Sequence, residues 1–127
     1  ARVKSTAITM QNIMFKSKIH RAMVTDANVN YEGSLTIDQS LMDEVGLLPY
    51  ERVLCGNMDN GERFETYAIA GERGSGSIIL NGATAHLGKP GDQLTIMSFA
   101  HLGKNEISGW KPKVIVLNEN NATIARR

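Results

Sequence analysis

The chain has 127 residues and a formal net charge of +1 at pH 7. That length suits one domain of ordinary size, and the near-zero charge excludes a general electrostatic attraction to nucleic acid or to membranes. The single cysteine excludes an internal disulfide and is consistent with a reducing compartment, so we expect a cytoplasmic protein. No apolar run approaches membrane-spanning length.

Short apolar segments, separated by glycine-containing turns, predict strands along most of the chain. The predicted strands are residues 16–25, 35–37, 52–55, 62–70, 78–80, 93–99 and 114–117. Polar, turn-forming residues predict turns at 26–28, 59–61 and 89–92. Many short strands with little helix are typical of a small closed barrel, so the fold class is mainly β.

One short helix is predicted after the second of these strands. Asp38 is a good N-cap, and Gly46 is a good stop signal. Between them, Leu41, Met42 and Val45 recur at helical spacing and predict the buried face of the helix.

The pair Gly33-Ser34 lies in the polar segment 25–34. A serine hydroxyl can attack the preceding carbonyl, and glycine permits the strained backbone that this attack needs. Alone, such a pair is most often an ordinary turn. Here it occurs with further motifs in a fixed order, namely Lys-Ile-His-Arg at 18–21, Asn-Tyr-Glu-Gly-Ser at 30–34, Asn-Gly-Glu-Arg-Phe at 60–64, Thr-Tyr at 66–67, Asn-Gly-Ala at 81–83 and Trp-Lys-Pro at 110–112.

In this order and spacing the chain resembles the pyruvoyl-dependent aspartate α-decarboxylases, which make β-alanine and CO₂ from L-aspartate for pantothenate synthesis. The resemblance runs from about Met14 to about Asn120. It implies a double-psi β-barrel, assembled as a homotetramer with active sites between subunits. Residues 14–127 are then one domain, cut between Gly33 and Ser34, and residues 1–13 are an N-terminal extension of natural or engineered origin.

The chemistry of this family needs an electron sink for the carbanion that remains when CO₂ leaves, a role that pyridoxal phosphate usually fills. This short chain has no evident fold for pyridoxal phosphate. The resemblance implies instead that Ser34 becomes a covalent pyruvoyl group at the new N-terminus of fragment 34–127. The sequence leaves open whether cleavage is spontaneous or needs an accessory protein.

Three residues on the predicted strand 62–70 are assigned roles by the resemblance. Arg63 would clamp a substrate carboxylate, since its planar fork binds carboxylates bidentately. Tyr67 would protonate the carbanion. Thr66 would contact the Gly33 carbonyl during cleavage, or the substrate afterwards, although strand alternation places Thr66 and Tyr67 on opposite faces.

Two further segments complete the implied site. The loop Asn81, Gly82, Ala83 and Thr84 would bind substrate through free backbone N–H groups, with Thr84 standing where family members often have alanine.

Lys18 and His20 share one face of the first strand. Lys18 would pair with a substrate carboxylate, and His20 would assist proton movements during processing or belong to an exposed basic face.

Other interpretations of the sequence are weaker. His86, His101 and Cys55 have no metal-ligand spacing, so no metal is expected. A decarboxylase with the same chemistry for another acidic amino acid, such as glutamate, stays open because the sequence does not set the pocket length. A non-enzymatic barrel that binds nucleic acid or peptide is disfavoured by the net charge and the few aromatic residues.

Overall fold

The computed structural model describes residues 10–127. Over this range it has nine strands, an α-helix of two turns, a single-turn α-helix and a 3₁₀ helix at Gly82–His86. In chain order the elements are β1 (Gln11–Met23), β2 (Asp26–Asn28), β3 (Ser34–Asp38), α1 (Gln39–Val45), β4 (Arg52–Asn57), β5 (Arg63–Gly71), β6 (Ile78–Asn81), β7 (Gln93–Gly103), α2 (Lys104–Ile107), β8 (Lys113–Leu117) and β9 (Thr123–Arg126). None of the helices in the described range is long and apolar enough to cross a membrane.

The nine strands form one mixed sheet in the order β2-β6-β3-β5-β4-β7-β1-β8-β9. Strands β1 and β2 lie far apart in this order, yet only Val24 and Thr25 separate them in the chain. The sheet must therefore curl until β2, at one end, comes close to β1, near the other end. The two linking residues continue the pairing of the strands they join, since Val24 N donates to Asp92 O beside β7 and Thr25 N donates to Ile78 O of β6, both at 2.8 Å. The prediction of a mainly β, barrel-like fold is confirmed.

Most predicted elements are present, with shifted ends. Strand β1 begins at Gln11, so three residues of the predicted extension pair with β7, and residues 1–9 lie outside the described range. Strand β7 continues to Gly103, four residues past its predicted end, and β9 has no counterpart in the prediction.

One prediction was wrong: residues 26–28 form strand β2 and not a turn. This polar segment pairs in parallel with β6, from Asp26 opposite Ile79 to Asn28 opposite Asn81. The partner lies about fifty residues away in the chain, so tertiary pairing overrides the local turn preference.

Strand β3 runs through the middle of the sheet, between β5 and β6. Its side chains Leu35 and Ile37 are fully buried, and they pack with Met42 of α1 and with Ile78 and Leu80 of β6. Each such side chain contributes roughly 1.5–3 kcal/mol when removed from water. The strand that begins at Ser34 is therefore firmly fixed on its core side.

Asp38 connects the end of β3 to α1 and to the loop before β6. Its Oδ1 accepts hydrogen bonds from Ser40 N (2.8 Å) and Gly74 N (3.1 Å), and its Oδ2 accepts one from Gly76 N (2.8 Å). Burial disfavours the carboxylate, but these bonds and one from the Ser40 hydroxyl outweigh burial and lower the pKa of Asp38. The ionised carboxylate therefore stabilises the fold at pH values above the pKa that Asp38 has in the unfolded chain. This stabilisation is lost as the pH falls through the lower pKa that Asp38 has in the folded chain.

We expect Asp38→Ala to lower the free energy of unfolding by about 2 kcal/mol at pH 7, since a helix cap is lost and three backbone N–H groups, those of Ser40, Gly74 and Gly76, lose their acceptor. The difference from the wild type should shrink below about pH 4, as the carboxyl protonates. Denaturant unfolding at several pH values measures this. Asp43→Ala, at an exposed position on the same helix, is the control, and an equal loss from both variants would contradict the role given to Asp38.

Candidate active site

Ser34 is the first residue of β3, and it is 1% exposed. Its Oγ accepts a hydrogen bond from the Asn81 side-chain amide at 3.1 Å, across the β3–β6 pair. Its own O–H points to the Glu32 carbonyl at 3.4 Å, which is long for a hydroxyl hydrogen bond. The hydroxyl is thus enclosed but only weakly held as a donor, which leaves it free to turn toward the adjacent Gly33 carbonyl.

The Asn81 carboxamide is held by two acceptors at once. Its Nδ2 donates to Ser34 Oγ and, at 2.9 Å, to Thr36 Oγ1. Both hydrogens of the amide are used, so its orientation is fixed. Thr36 is not among the site residues predicted from the sequence. The signal was present, because Ser34 and Thr36 lie two apart on a strand and therefore share a face.

Thr84 lies in the 3₁₀ helix that follows Asn81, and it is buried. Its Oγ1 donates to the Asn81 carbonyl at 2.8 Å and lies 3.4 Å from the Ser34 carbonyl. Sequence analysis expected only the Thr84 backbone to contribute. In the structure the Thr84 hydroxyl contributes as well, because it links the Asn81 carbonyl to the start of β3.

Gly82 brings the backbone of this helix against the segment before Ser34. Its φ is +67°, and a Cβ placed there would lie 2.6 Å from Tyr31 O and 2.7 Å from Gly33 N. No side chain larger than hydrogen fits without displacing that backbone. Gly82 therefore fixes the position of the Gly33–Ser34 peptide bond.

Strand β5 runs beside the strand that begins at Ser34. Leu35 pairs in parallel with Ala68, so the same register continued by one residue sets the backbone of Tyr67 next to that of Ser34, although the Tyr67 side chain does not line the cleft that Ser34 lines. Leu35 and Ala68 face the core, whereas Ser34 and Tyr67 share the other face. Thr66 pairs with Val53 on the core-facing side of β5. Because side chains alternate along β5, Thr66 and Tyr67 of one chain lie on opposite faces of the sheet, as the sequence indicated.

A cleft of about 430 Å³ opens on this face of the sheet. Its lining combines the β3 and β6 side chains just described with residues from the turn before Ser34. They are Asp26, Tyr31, Glu32, Ser34, Thr36, Ile69, Ile79 and Asn81. We call it the Ser34 cleft.

The basic residues lie elsewhere. Lys18 and Arg63 line a second cleft of about 300 Å³, with Gly56, Asn57, Met58, Gly61, Glu62, Thr95 and Met97. We call it the Arg63 cleft. Two cationic groups in one small cleft suit an anionic ligand with carboxylate groups. Arg63 is four residues from Tyr67 on β5, or about 13 Å along an extended strand.

His20 borders the Arg63 cleft through Thr95. A β-bulge in β1 sets His20 and Arg21 against the single residue Thr95 of β7, and His20 Nδ1 lies 3.3 Å from Thr95 Oγ1. Burial, and then the charges of Lys18, Arg21 and Arg127, lower the pKa of His20. The imidazole is therefore neutral at pH 7.

The three remaining candidates have no part in these clefts. Cys55 is buried, and burial raises the pKa of its thiol to about 12, so the thiolate needed for nucleophilic chemistry does not form at neutral pH. His86 and His101 are exposed. Within residues 10–127, no three His, Cys, Asp or Glu side chains are grouped so that they could hold a metal ion.

We expect Gly82→Ala to slow the cleavage predicted at Gly33–Ser34 by about 10–100-fold, because the new methyl group would displace the backbone on which that predicted reaction depends. Mass spectrometry of the denatured chain over time measures the rate. Gly109→Ala is the matched control, since Gly109 has a φ of +80° and nothing within 4 Å of an added Cβ. Equal cleavage rates in the two variants would show that the close approach at Gly82 is unimportant.

Comparison with known proteins identifies one family. Residues 10–124 match the family model described as aspartate decarboxylase. Aspartate 1-decarboxylase of Thermoanaerobacter pseudethanolicus is 55% identical over 115 residues, which cover 91% of this chain and 98% of that protein. The enzymes of the same name from Syntrophobacter fumaroxidans and Staphylococcus epidermidis are 50% and 53% identical, over 92% and 91% of this chain and 94% and 90% of their own lengths. The chain belongs to the aspartate decarboxylase family.

Proposed function

We propose that this chain converts L-aspartate to β-alanine and CO₂, using a pyruvoyl group made from its own Ser34. The observation that carries the proposal is the buried Ser34 hydroxyl, which accepts a hydrogen bond from Asn81 and directly follows the Gly33 backbone that Gly82 packs against. The family supports the reaction and the substrate. β-Alanine made this way would serve pantothenate synthesis. The single buried thiol, Cys55, supports a reducing, cytoplasmic location.

The group can be made from Ser34 with one water molecule as the only other reactant. Ser34 Oγ attacks the Gly33 carbonyl carbon, the C–N bond breaks, and the nitrogen takes up the hydroxyl proton, which leaves an ester. Loss of the Ser34 α-proton then breaks the Cβ–O bond and expels the Gly33 carboxylate. One water replaces the α-nitrogen, which leaves as ammonia. The steps consume one water and release one ammonia, and they need no oxidant.

The surroundings of Ser34 fit a small ketone. Ser34 is almost fully buried although it lines the Ser34 cleft, and the Asn81 amide is directed at it. A buried amide donor with a fixed orientation stabilises charge on a nearby oxygen more strongly than water does. Once formed, the ketone supplies the electron-accepting carbonyl that a decarboxylation needs.

The remaining residues bind substrate and move one proton. Arg63 and Lys18 hold the side-chain carboxylate, which is retained, because a clamp on the departing carboxylate would oppose the loss of CO₂. The Tyr67 hydroxyl, on the Ser34 side of β5, delivers a proton to the carbon that has lost CO₂. The backbone of Gly82 and Ala83 orients the substrate beside Ser34.

These roles require more than one copy of the chain. Tyr67 is adjacent to Ser34, but Arg63 is about 13 Å further along the strand and lines a different cleft. Within one chain the Ser34 cleft and the Arg63 cleft have no lining residue in common. We propose that the Ser34 cleft of one subunit meets the Arg63 cleft of another in a homotetramer.

A partly apolar cleft supports such an assembly. Ile13 is 68% exposed and Phe99 is 39% exposed, and both line a further cleft of about 330 Å³ beside β1, β4 and β7, together with Glu51, Arg52, Glu65 and His101. Exposed apolar side chains grouped in this way are typical of surfaces that contact another protein.

Self-cleavage gives a mass signature. We expect fragments 1–33 and 34–127, whose summed mass exceeds that of the intact chain by one water minus one ammonia. Ser34→Ala should remain whole and inactive because the attacking oxygen is gone. Intact-mass spectrometry after prolonged warming, with and without cell extract, measures both. A wild-type chain that stays whole in every condition would refute the proposal, and activity only with extract would indicate an accessory protein.

Arg63→Lys keeps the charge but loses the planar fork. We expect normal cleavage at Gly33–Ser34 and a kcat/KM for aspartate lower by at least about tenfold, equivalent to one charge-assisted hydrogen bond. Steady-state assays of the fully cleaved variant measure this. Unchanged kinetics would rule out a carboxylate clamp at Arg63.

Subunit mixing tests the shared site. Ser34→Ala and Arg63→Ala subunits are each expected to be inactive, but random co-assembly should restore activity at about a quarter of the sites. The control is a mixture of Ser34→Ala and Tyr67→Phe, which should restore none, because Ser34 and Tyr67 come from the same subunit. The same result from the two mixtures would contradict a site divided between Ser34 and Arg63.

A further inference from the structure

Tyr50 has an unusual backbone conformation. It lies in the turn between α1 and β4, and its φ is +70°. This left-handed region suits glycine or asparagine, and a bulky aromatic residue there is strained. Such a conformation persists only when the surrounding structure holds it, and it is often found at functional sites.

Two backbone hydrogen bonds hold Tyr50 against β5. Tyr50 N donates to Ala68 O at 2.7 Å, and Ala68 N donates to Glu51 O at 2.9 Å. The Glu51 carboxylate in turn accepts hydrogen bonds from Leu48 N at 3.0 Å and from Lys16 Nζ at 2.7 Å. The turn is therefore fixed to β5 at the residue that follows Tyr67.

The Tyr50 side chain does not serve the core. It is 78% exposed. Its ring instead packs against the ring of Tyr67, with centroids 6.4 Å apart and planes inclined by 30°. That separation lies within the favourable range for aromatic pairs. The strained backbone thus presents an aromatic ring to one particular partner.

We propose that Tyr50 is a positioning residue that restricts the Tyr67 ring, so that the Tyr67 hydroxyl stays directed at the substrate carbon. The inference rests on the proposed role of Tyr67 as proton donor. With the Tyr50 ring on one side, the Tyr67 ring has fewer rotational states. Proton transfer is fast only from the state in which the Tyr67 hydroxyl is aligned with the substrate carbon. The effect should appear in kcat, because the ring acts after the substrate has bound.

Tyr50→Gly separates this role from a structural one. Glycine suits a φ of +70°, so the variant should fold at least as stably as the wild type. We expect normal cleavage at Gly33–Ser34, a Tm that is unchanged or raised, and a KM within about twofold. The kcat for β-alanine should fall by about 3–10-fold, the range that corresponds to loss of an aromatic pair. Tyr50→Phe keeps the ring and should retain the wild-type kcat.

A double variant shows whether Tyr50 acts through Tyr67. Tyr67→Phe alone should reduce kcat by about 10²–10⁴-fold, as expected for loss of a general acid. In the Tyr67→Phe background, Tyr50→Gly should have no further effect, since the proton that Tyr50 positions is already gone.

Four outcomes would decide against parts of this assignment. Wild-type kcat in Tyr50→Gly would overturn it, and so would an equal loss in Tyr50→Phe, which would place the effect in the Tyr50 hydroxyl. A full additional loss in the double variant would also overturn it, because Tyr50 would then act independently of Tyr67. Wild-type turnover in Tyr67→Phe would refute the proposal that Tyr67 is the proton donor. If instead kcat is reduced in Tyr67→Phe but normal in Tyr50→Gly, only the positioning role of Tyr50 is refuted.

Discussion

The contact between the Gly82 backbone and the segment before Ser34 is the constraint on which the candidate site depends. It exists because Gly82 has no Cβ and a positive φ, so two backbone segments approach more closely than any other residue allows. The residue before Gly82 is Asn81, whose amide reaches Ser34 Oγ. Thr84, two residues after Gly82, reaches the Asn81 carbonyl. One glycine therefore sets the geometry of three side chains around a single peptide bond.

The sheet supplies the rigidity that this geometry needs. Strand β3 is hydrogen-bonded on both edges, to β5 and β6, and Leu35 and Ile37 fix its core side. Its other side presents Ser34 and Thr36 to the cleft. A hydroxyl on such a strand reacts from a fixed position, and less reorganisation is needed when the reaction begins.

Local signals in the sequence predicted the elements that local chemistry decides. The Asp38 cap, the Gly46 stop and the turn at 59–61 are all present, and Gly46 has the left-handed φ of +70° expected of a helix end. The alternation along β5 also agreed with burial. Features that depend on distant partners were not predictable in this way. Strand β2 forms because β6 pairs with it, and the left-handed Tyr50 is held by Ala68, eighteen residues further along the chain.

The division between the Ser34 cleft and the Arg63 cleft is also non-local, because it depends on the register of β5 against β3 and β4. In the proposed function this division separates two events. Formation of the ketone uses Ser34, Asn81 and Gly82, which one chain brings together by itself. Use of the ketone also needs Arg63, which one chain places on the far part of β5. In that proposal, cofactor formation follows from the folding of a single chain, whereas turnover follows from assembly, and a change at the cleft lined by Ile13 and Phe99 would affect the second more than the first.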